Sequence, residues 1–113
     1  MTAHKMIREP LPARRRAELV TLDVNGSPFY EVGIGRYDDG RLAEVFISCV
    51  RPTSESAEVA RDAAVLISIA LQFGVPVETM QGAITRVSDG SAASIIGRVL
   101  DLLDGRKPPA QDR

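Results

Sequence analysis

The stretch Tyr37-Asp38-Asp39-Gly40-Arg41-Leu42-Ala43-Glu44-Val45-Phe46-Ile47 decides how this chain is read. Its first part is a turn, because aspartate side chains bond local backbone and glycine enters the left-handed region without steric cost. Its second part alternates. Ala43, Val45, Ile47 and Cys49 fall on one side of a strand, and Glu44, Phe46 and Ser48 on the other, the period of a sheet buried on one face. Upstream, Phe29 to Tyr37 alternates in the same way, with Tyr30, Val32 and Ile34 on one face and Gly33 and Gly35 on the other. Those glycines mark a bulge or the close approach of another backbone. Asn25-Gly26 is a strong hairpin signal, and Glu18 to Val24 puts Val20, Leu22 and Val24 on one side of a first strand. Three strands joined by tight turns make an antiparallel meander.

After the third strand the period changes. Pro52-Thr53-Ser54-Glu55-Ser56 offers a strand breaker, hydroxyl caps and an acidic first turn, all favourable at a helix start. The helix is expected to reach about Phe73, with Val59, Ala63, Leu66, Ile67, Ala70 and Leu71 as its apolar stripe and Ala60, Ala64 and Ile69 widening it. Gly74 suits the position after a helix end and Pro76 the first turn of the next helix. That second helix is expected to reach about Ile84, burying Val77, Met80 and Ile84. Asp89-Gly90 turns the chain, and a third helix from Ala92 or Ser94 to Leu103 buries Ile95 or Ile96, Val99, Leu100 and Leu103. The expected class is α+β, a three-stranded antiparallel meander followed by three helices packed on one face. Phe29, Leu42 and Phe46 then lie on or near the uncovered side, so a homodimer that pairs sheets or buries the long helix is expected.

A length of 113 residues suits one domain. The expected organisation is a flexible basic arm over 1–15, one domain over 16–104 and a disordered tail over 105–113. The arm carries Lys5, Arg8, Arg14, Arg15 and Arg16 with Pro10 and Pro12, a mixture that does not propagate helix. With 14 basic and 15 acidic residues, a net charge of −1 gives the whole chain no general attraction to nucleic acid or anionic lipid. No apolar segment has the length of a membrane span and none reads as a signal peptide. Cys49 is the only cysteine, which excludes an internal disulfide and a multi-cysteine zinc site and fits a reducing, cytoplasmic setting.

Several side chains are candidates for chemistry, each beside a plain alternative. Cys49, alternating with Val45 and Ile47, occupies the place of a small core residue. His4 sits in the arm without a fixed partner. Asp38 and Asp39 precede a glycine, as turn residues do. Glu44 lies mid-strand where Arg36 or Arg41 can pair with it across strands, and Asp62 in the long helix has Arg86 or Arg98 as candidate partners. Arg36, Arg41, Arg51, Thr53 and Ser54 can be read together as a rim for an anionic ligand at the start of the long helix. Arg14-Arg15-Arg16 can contact phosphates, although no aromatic residue is interleaved for stacking.

The succession Val32-Gly33-Ile34-Gly35-Arg36-Tyr37-Asp38-Asp39-Gly40-Arg41, with Glu44-Val45-Phe46-Ile47, Asp62, Gln72-Phe73-Gly74-Val75-Pro76-Val77-Glu78 and Ser94-Ile95-Ile96-Gly97, resembles the TSCPD domain family. That family includes the C-terminal region of vitamin B12-dependent (class II) ribonucleotide reductases and short free-standing proteins. The resemblance runs from about Leu11 to Leu103. The Thr-Ser-Cys-Pro-Asp motif that names the family is absent, and Val50-Arg51-Pro52-Thr53-Ser54 stands where a Gly/Lys/Ser-rich turn is expected. Ribonucleotide reduction needs two thiols that become a disulfide and a thiyl radical, so one cysteine does not suffice. The resemblance therefore implies a non-catalytic, stand-alone interaction or regulatory module without a cofactor of its own. Its expected partner is a ribonucleotide reductase or a nucleotide, in connection with deoxyribonucleotide supply. The alternatives are a homodimeric adaptor unrelated to nucleotides and a weak nucleic-acid binder acting through the basic arm.

Overall fold

The structure, a computed structural model, describes residues 7–14, 16–24, 26–50 and 54–104. His4, Lys5, Arg15, Asn25, Arg51, Pro52, Thr53 and the segment 105–113 lie outside the described residues. Three strands, β1 (Arg16–Val24), β2 (Ser27–Arg36) and β3 (Leu42–Cys49), precede three helices, α1 (Ser54–Gln72), α2 (Val77–Ala83) and α3 (Ile95–Leu103). The class is α+β. The chain divides into two compact units, Met1–Gly74 and Val75–Arg113.

In the first unit the sheet has the order β1-β2-β3, antiparallel throughout. Gly26 and Gly40 take φ of 83° and 93° in the two turns, as glycine does where a side chain would be strained. Register aligns Leu22 with Tyr30 and Cys49, and Val20 with Val32 and Ile47. Tyr30, Val32, Ile34, Ala43, Val45 and Ile47 are all buried on that face. The opposite face carries the cross-strand row Leu19, Gly33, Phe46. There Leu19 is 72% and Phe46 56% exposed.

Helix α1 runs antiparallel to β3, since Ser68 reaches Val45 and Gln72 reaches Ala43. Its buried positions are Ala60, Ala64, Ile67, Ser68, Leu71 and Gln72. This corrects the stripe expected from apolar periodicity: Val59 and Leu66 are 53% and 68% exposed. Two polar residues take the inward positions because β3 offers them hydrogen bonds, and the buried stripe turns accordingly. The glycines of β2 behave partly as expected. The register shifts between Gly35 and Arg36, a bulge, but side chains rather than a second backbone approach the glycines. A Cβ on Gly35 would lie 2.7 Å from Glu44 Oε2 and 2.8 Å from its Cγ.

Gly74 (φ 89°) ends the first unit. In the second unit α2 buries Val77 and Gln81, whereas Met80 and Ile84, expected inside, are half-buried. A short bridge, Arg86 to Ala92, closes the Asp89-Gly90 turn. Ser94 caps α3 by accepting from the Gly97 N–H at 3.4 Å. Gly97 is set hard against its neighbours: a Cβ there would lie 2.6 Å from Ile84 Cδ1 and 2.7 Å from Ala92 Cβ. Val99, Leu100 and Leu103 are buried, as the periodicity predicts.

Candidate functional site

An edge strand exposes half of its backbone hydrogen-bonding groups, and a fold must cover them or leave them open to pairing. In β3 the even positions bond β2, so those of Ala43, Val45 and Ile47 point to the outer edge. Ser68 Oγ accepts from the Val45 N–H at 2.9 Å and shares its proton between Val45 O at 3.0 Å and Ala64 O at 2.8 Å. One helical turn later Gln72 Nε2 donates to Ala43 O at 2.9 Å. Ser68 and Gln72 thus take up both outer-edge groups of Val45 and the carbonyl of Ala43, part of what a fourth strand would do.

Gln72 also holds the segment that precedes the sheet. Arg8 Nε donates to Gln72 Oε1, and the Glu9 N–H donates to Gln72 O at 2.9 Å. The Glu9 carbonyl accepts from Tyr37 Oη at 3.1 Å, and the Glu9 carboxylate accepts both terminal nitrogens of Arg41, at 2.8 Å each. Arg41 is itself fixed. Its Nε donates to Asp39 Oδ2 at 2.7 Å, its backbone N–H donates to Asp39 Oδ1 at 3.1 Å, and its guanidinium lies 4.7 Å from the Tyr37 ring centre. Such paired, planar contacts are the geometry in which guanidinium binds carboxylate best.

The electrostatics follow this geometry. The Tyr37 hydroxyl is pushed above its ordinary value of 10.0, first by burial and then by the Glu9 charge, against the opposing pull of Arg41. Asp39 is held below the usual carboxylate range, first by the Arg41 side chain and then by its backbone N–H. Arg41 is raised, by Glu9 first and Asp39 second.

Among the described residues, those singled out in the sequence lie toward both ends of β3. Arg36 bonds Glu18 at 3.4 Å and the Gly40 carbonyl at 3.0 Å, and Arg41 lies beyond the same turn. Ser54 opens α1 at the other end of β3, a separation of about 25 Å for an eight-residue strand. Arg51 and Thr53 lie outside the described residues. Glu44 is only 8% exposed, although it projects from the open sheet face, because its side chain lies over the bare Cα of Gly35. Cys49 is half-buried in the register of Tyr30. Arg14 is exposed, Arg15 lies outside the described residues, and Arg16 opens β1 opposite Arg36.

Asp62 is exposed, and Arg86, proposed as its partner, instead grips Asp101 through both terminal nitrogens at 2.9 and 2.8 Å. Gln81 Nε2 donates to the same carboxylate at 2.9 Å. Asp101 is 7% exposed, so this carboxylate is a buried charge in the second unit. Sequence reasoning passed over it, as it passed over Ser68 and Glu9, and it read Gln72 only as part of the family pattern. The available signal was a polar residue at an inward helical position: Ser68 and Gln72 at i, i+4, and Asp101 between Leu100 and Leu102.

Two concavities beside β3 are formed by the described residues. One, of 440 Å³, is on the open sheet face between Leu19 and Phe46, with Gly33, Gly35 and Glu44 in its lining. The other, of 360 Å³ and mainly apolar, lies between β3 and α1 and is lined by Leu11, Val45, Ile47, Ala64, Val65 and Ile69 among others. Among the described residues no group of three His, Cys, Asp or Glu is placed to hold a metal ion, and no helix is long and apolar enough to cross a membrane.

Comparison with known proteins agrees with the resemblance seen in the sequence. A vitamin B12-dependent ribonucleotide reductase of Bradyrhizobium diazoefficiens is 35% identical over 78 residues, covering 69% of this chain and 6% of that protein. The protein of the same description from Agrobacterium fabrum gives 35% over 78 residues with the same coverage. That from Rhodopirellula baltica gives 32% over 77 residues, 68% of this chain and 7% of the relative. The chain therefore spans only a small fraction of the length of these relatives. No solved structure gives a significant match. The TSCPD domain profile matches residues 12–104, nearly the whole described chain, and the protein belongs to the TSCPD domain family.

Proposed function

We propose that this domain is a non-catalytic recognition module that docks on a B12-dependent ribonucleotide reductase and modulates deoxyribonucleotide supply. The observation that supports this most is the match of 69% of the chain to 6% of a vitamin B12-dependent ribonucleotide reductase. In such relatives the domain is a small part of a long chain, and its own side chains are arranged for holding rather than for bond-making. The single thiol, Cys49, is half-buried in the sheet, and two-thiol chemistry needs a second. Leu19 and Phe46 on the open sheet face supply the exposed apolar area of a docking surface.

The test is direct titration of the purified protein against a purified B12-dependent ribonucleotide reductase from the host cell, by calorimetry and by the effect on turnover. Saturable binding at micromolar concentration, lost in Leu19→Asp and Phe46→Asp, supports the reading. No binding and no effect on turnover at 100-fold excess would reject it. A second reading is favoured by the same exposed face: a homodimer in which Leu19 and Phe46 of two copies meet. Sedimentation equilibrium separates the two, since a dimer dissociated by Phe46→Asp, without any reductase affinity, leaves only the second.

A further inference from the structure

Glu9 is bound through every polar group it has. Its carboxylate is in the fork of Arg41, its N–H is on the Gln72 carbonyl, and its C=O is on the Tyr37 hydroxyl. That is how an extended peptide is recognised, main chain and side chain together. The receptor is largely built without it. Asp39 and the Tyr37 ring orient Arg41, the Gln72 carbonyl belongs to the last turn of α1, where helix carbonyls lack intrahelical partners, and the Gln72 carboxamide is anchored on Ala43. Two residues beyond Glu9, Leu11 lines the apolar concavity between β3 and α1. Pro10 and Pro12 flank it, each with its φ fixed by the ring and without an N–H to donate.

We propose that this end of the β3/α1 edge is a binding site for an extended segment bearing a carboxylate and, two residues later, an aliphatic side chain, and that the protein's own residues 8–12 occupy it in cis. The Arg41–Glu9 pair is partly solvent-exposed, with 52% and 29% of the two side chains accessible, and exposed pairs hold weakly. The arm is therefore exchangeable, and a partner segment of the same chemistry displaces it. This chemistry does not depend on which protein is the partner, so this proposal and the reductase docking fail separately.

The probe is a fluorescein-labelled peptide of residues 7–14, titrated by fluorescence anisotropy into the full chain. Glu9→Ala, which loosens the arm in cis, should bind the peptide about threefold more tightly than the wild-type chain does, the scale of an exposed ion pair. Glu9→Ala combined with Arg41→Ala should lose that binding, and so should a peptide whose glutamate is replaced by alanine. Glu9→Ala with Arg41→Lys, which keeps the charge but not the fork, should fall between them. Circular dichroism of each variant shows that it is folded. Equal affinity of the wild-type and Glu9→Ala chains, equal affinity with and without Arg41, or no binding to folded Glu9→Ala at millimolar peptide would each overturn the proposal.

Discussion

Replacing Ser68 by alanine removes one oxygen from a buried place where three bonds meet. Val45 is 1% exposed, so water does not replace the hydroxyl that its N–H and C=O lose. An orphaned buried backbone group costs about 1–3 kcal/mol, and alanine returns about 0.5 kcal/mol through its better helix propensity. With both the N–H and the C=O of Val45 orphaned, the net expectation for Ser68→Ala is a loss of at least about 1.5 kcal/mol, or a fall in Tm of at least about 6 °C for a domain of this size. The assay is urea unfolding followed by circular dichroism, with hydrogen exchange of the Val45 amide measured by NMR. That amide should lose protection before its β2-bonded neighbours Glu44 and Phe46 do. Val65→Ser, at a position 51% exposed on the same helix, should change stability by less than about 0.5 kcal/mol. If Ser68→Ala is as stable as the parent and the Val45 amide stays protected, the edge of β3 is covered by something other than Ser68.

Other outcomes follow from the same geometry. Gly35→Ala places a methyl carbon 2.8 Å from Glu44 Cγ, which is not the free end of a side chain, so overpacking should cost about 1–3 kcal/mol in chemical denaturation. Asp101→Ala leaves the Arg86 guanidinium and Gln81 carboxamide without their acceptor and should destabilise the protein by about 3 kcal/mol, read as a lower urea midpoint, with Asp101→Asn intermediate. Tyr37 is raised above 10.0 in the folded protein, so its contribution to stability is complete below that pH and is lost as pH rises through the folded value. Glu9→Ala removes one of the raising charges, and ultraviolet titration of the phenol should move to lower pH. Asp39 has the opposite sign: its stabilisation is present above 3.8 and is lost as pH falls through its lowered folded value, seen as a chemical-shift change at the Arg41 amide.

The order and type of the elements, and the family, were legible in the chain because they rest on local chemistry. Alternation from Ala43 to Cys49 places one row inside a sheet wherever that sheet sits. Gly26, Gly40, Gly74 and Gly90 all adopt positive φ, as their turn contexts require. The α1 surface was legible only in part. Its apolar residues cover more than one face, and periodicity alone cannot say that Ser68 and Gln72 outrank Val59 and Leu66 for the inside. That choice depends on β3, an edge strand whose outward carbonyls and amides lie more than twenty residues away in sequence.

The charged residues show the same division. The sequence offers Arg41 to Glu44 across the strands or to an anionic ligand, whereas its bond to Asp39, two residues away, comes from the way the turn folds. Its pairing with Glu9, thirty-two positions distant, follows from the path of the preceding segment across the end of α1. Likewise Asp101 looks from its helix like an interruption of an apolar run, and becomes the partner of Arg86 and Gln81 only when the turn at Asp89-Gly90 folds back. By itself the sequence determined a three-stranded meander, three helices and membership of a family, since strand period, turn chemistry and caps act over a few residues. Only the tertiary structure decided which polar side chains are buried and what they hold, because a buried hydrogen bond is favourable only where the fold delivers its partner.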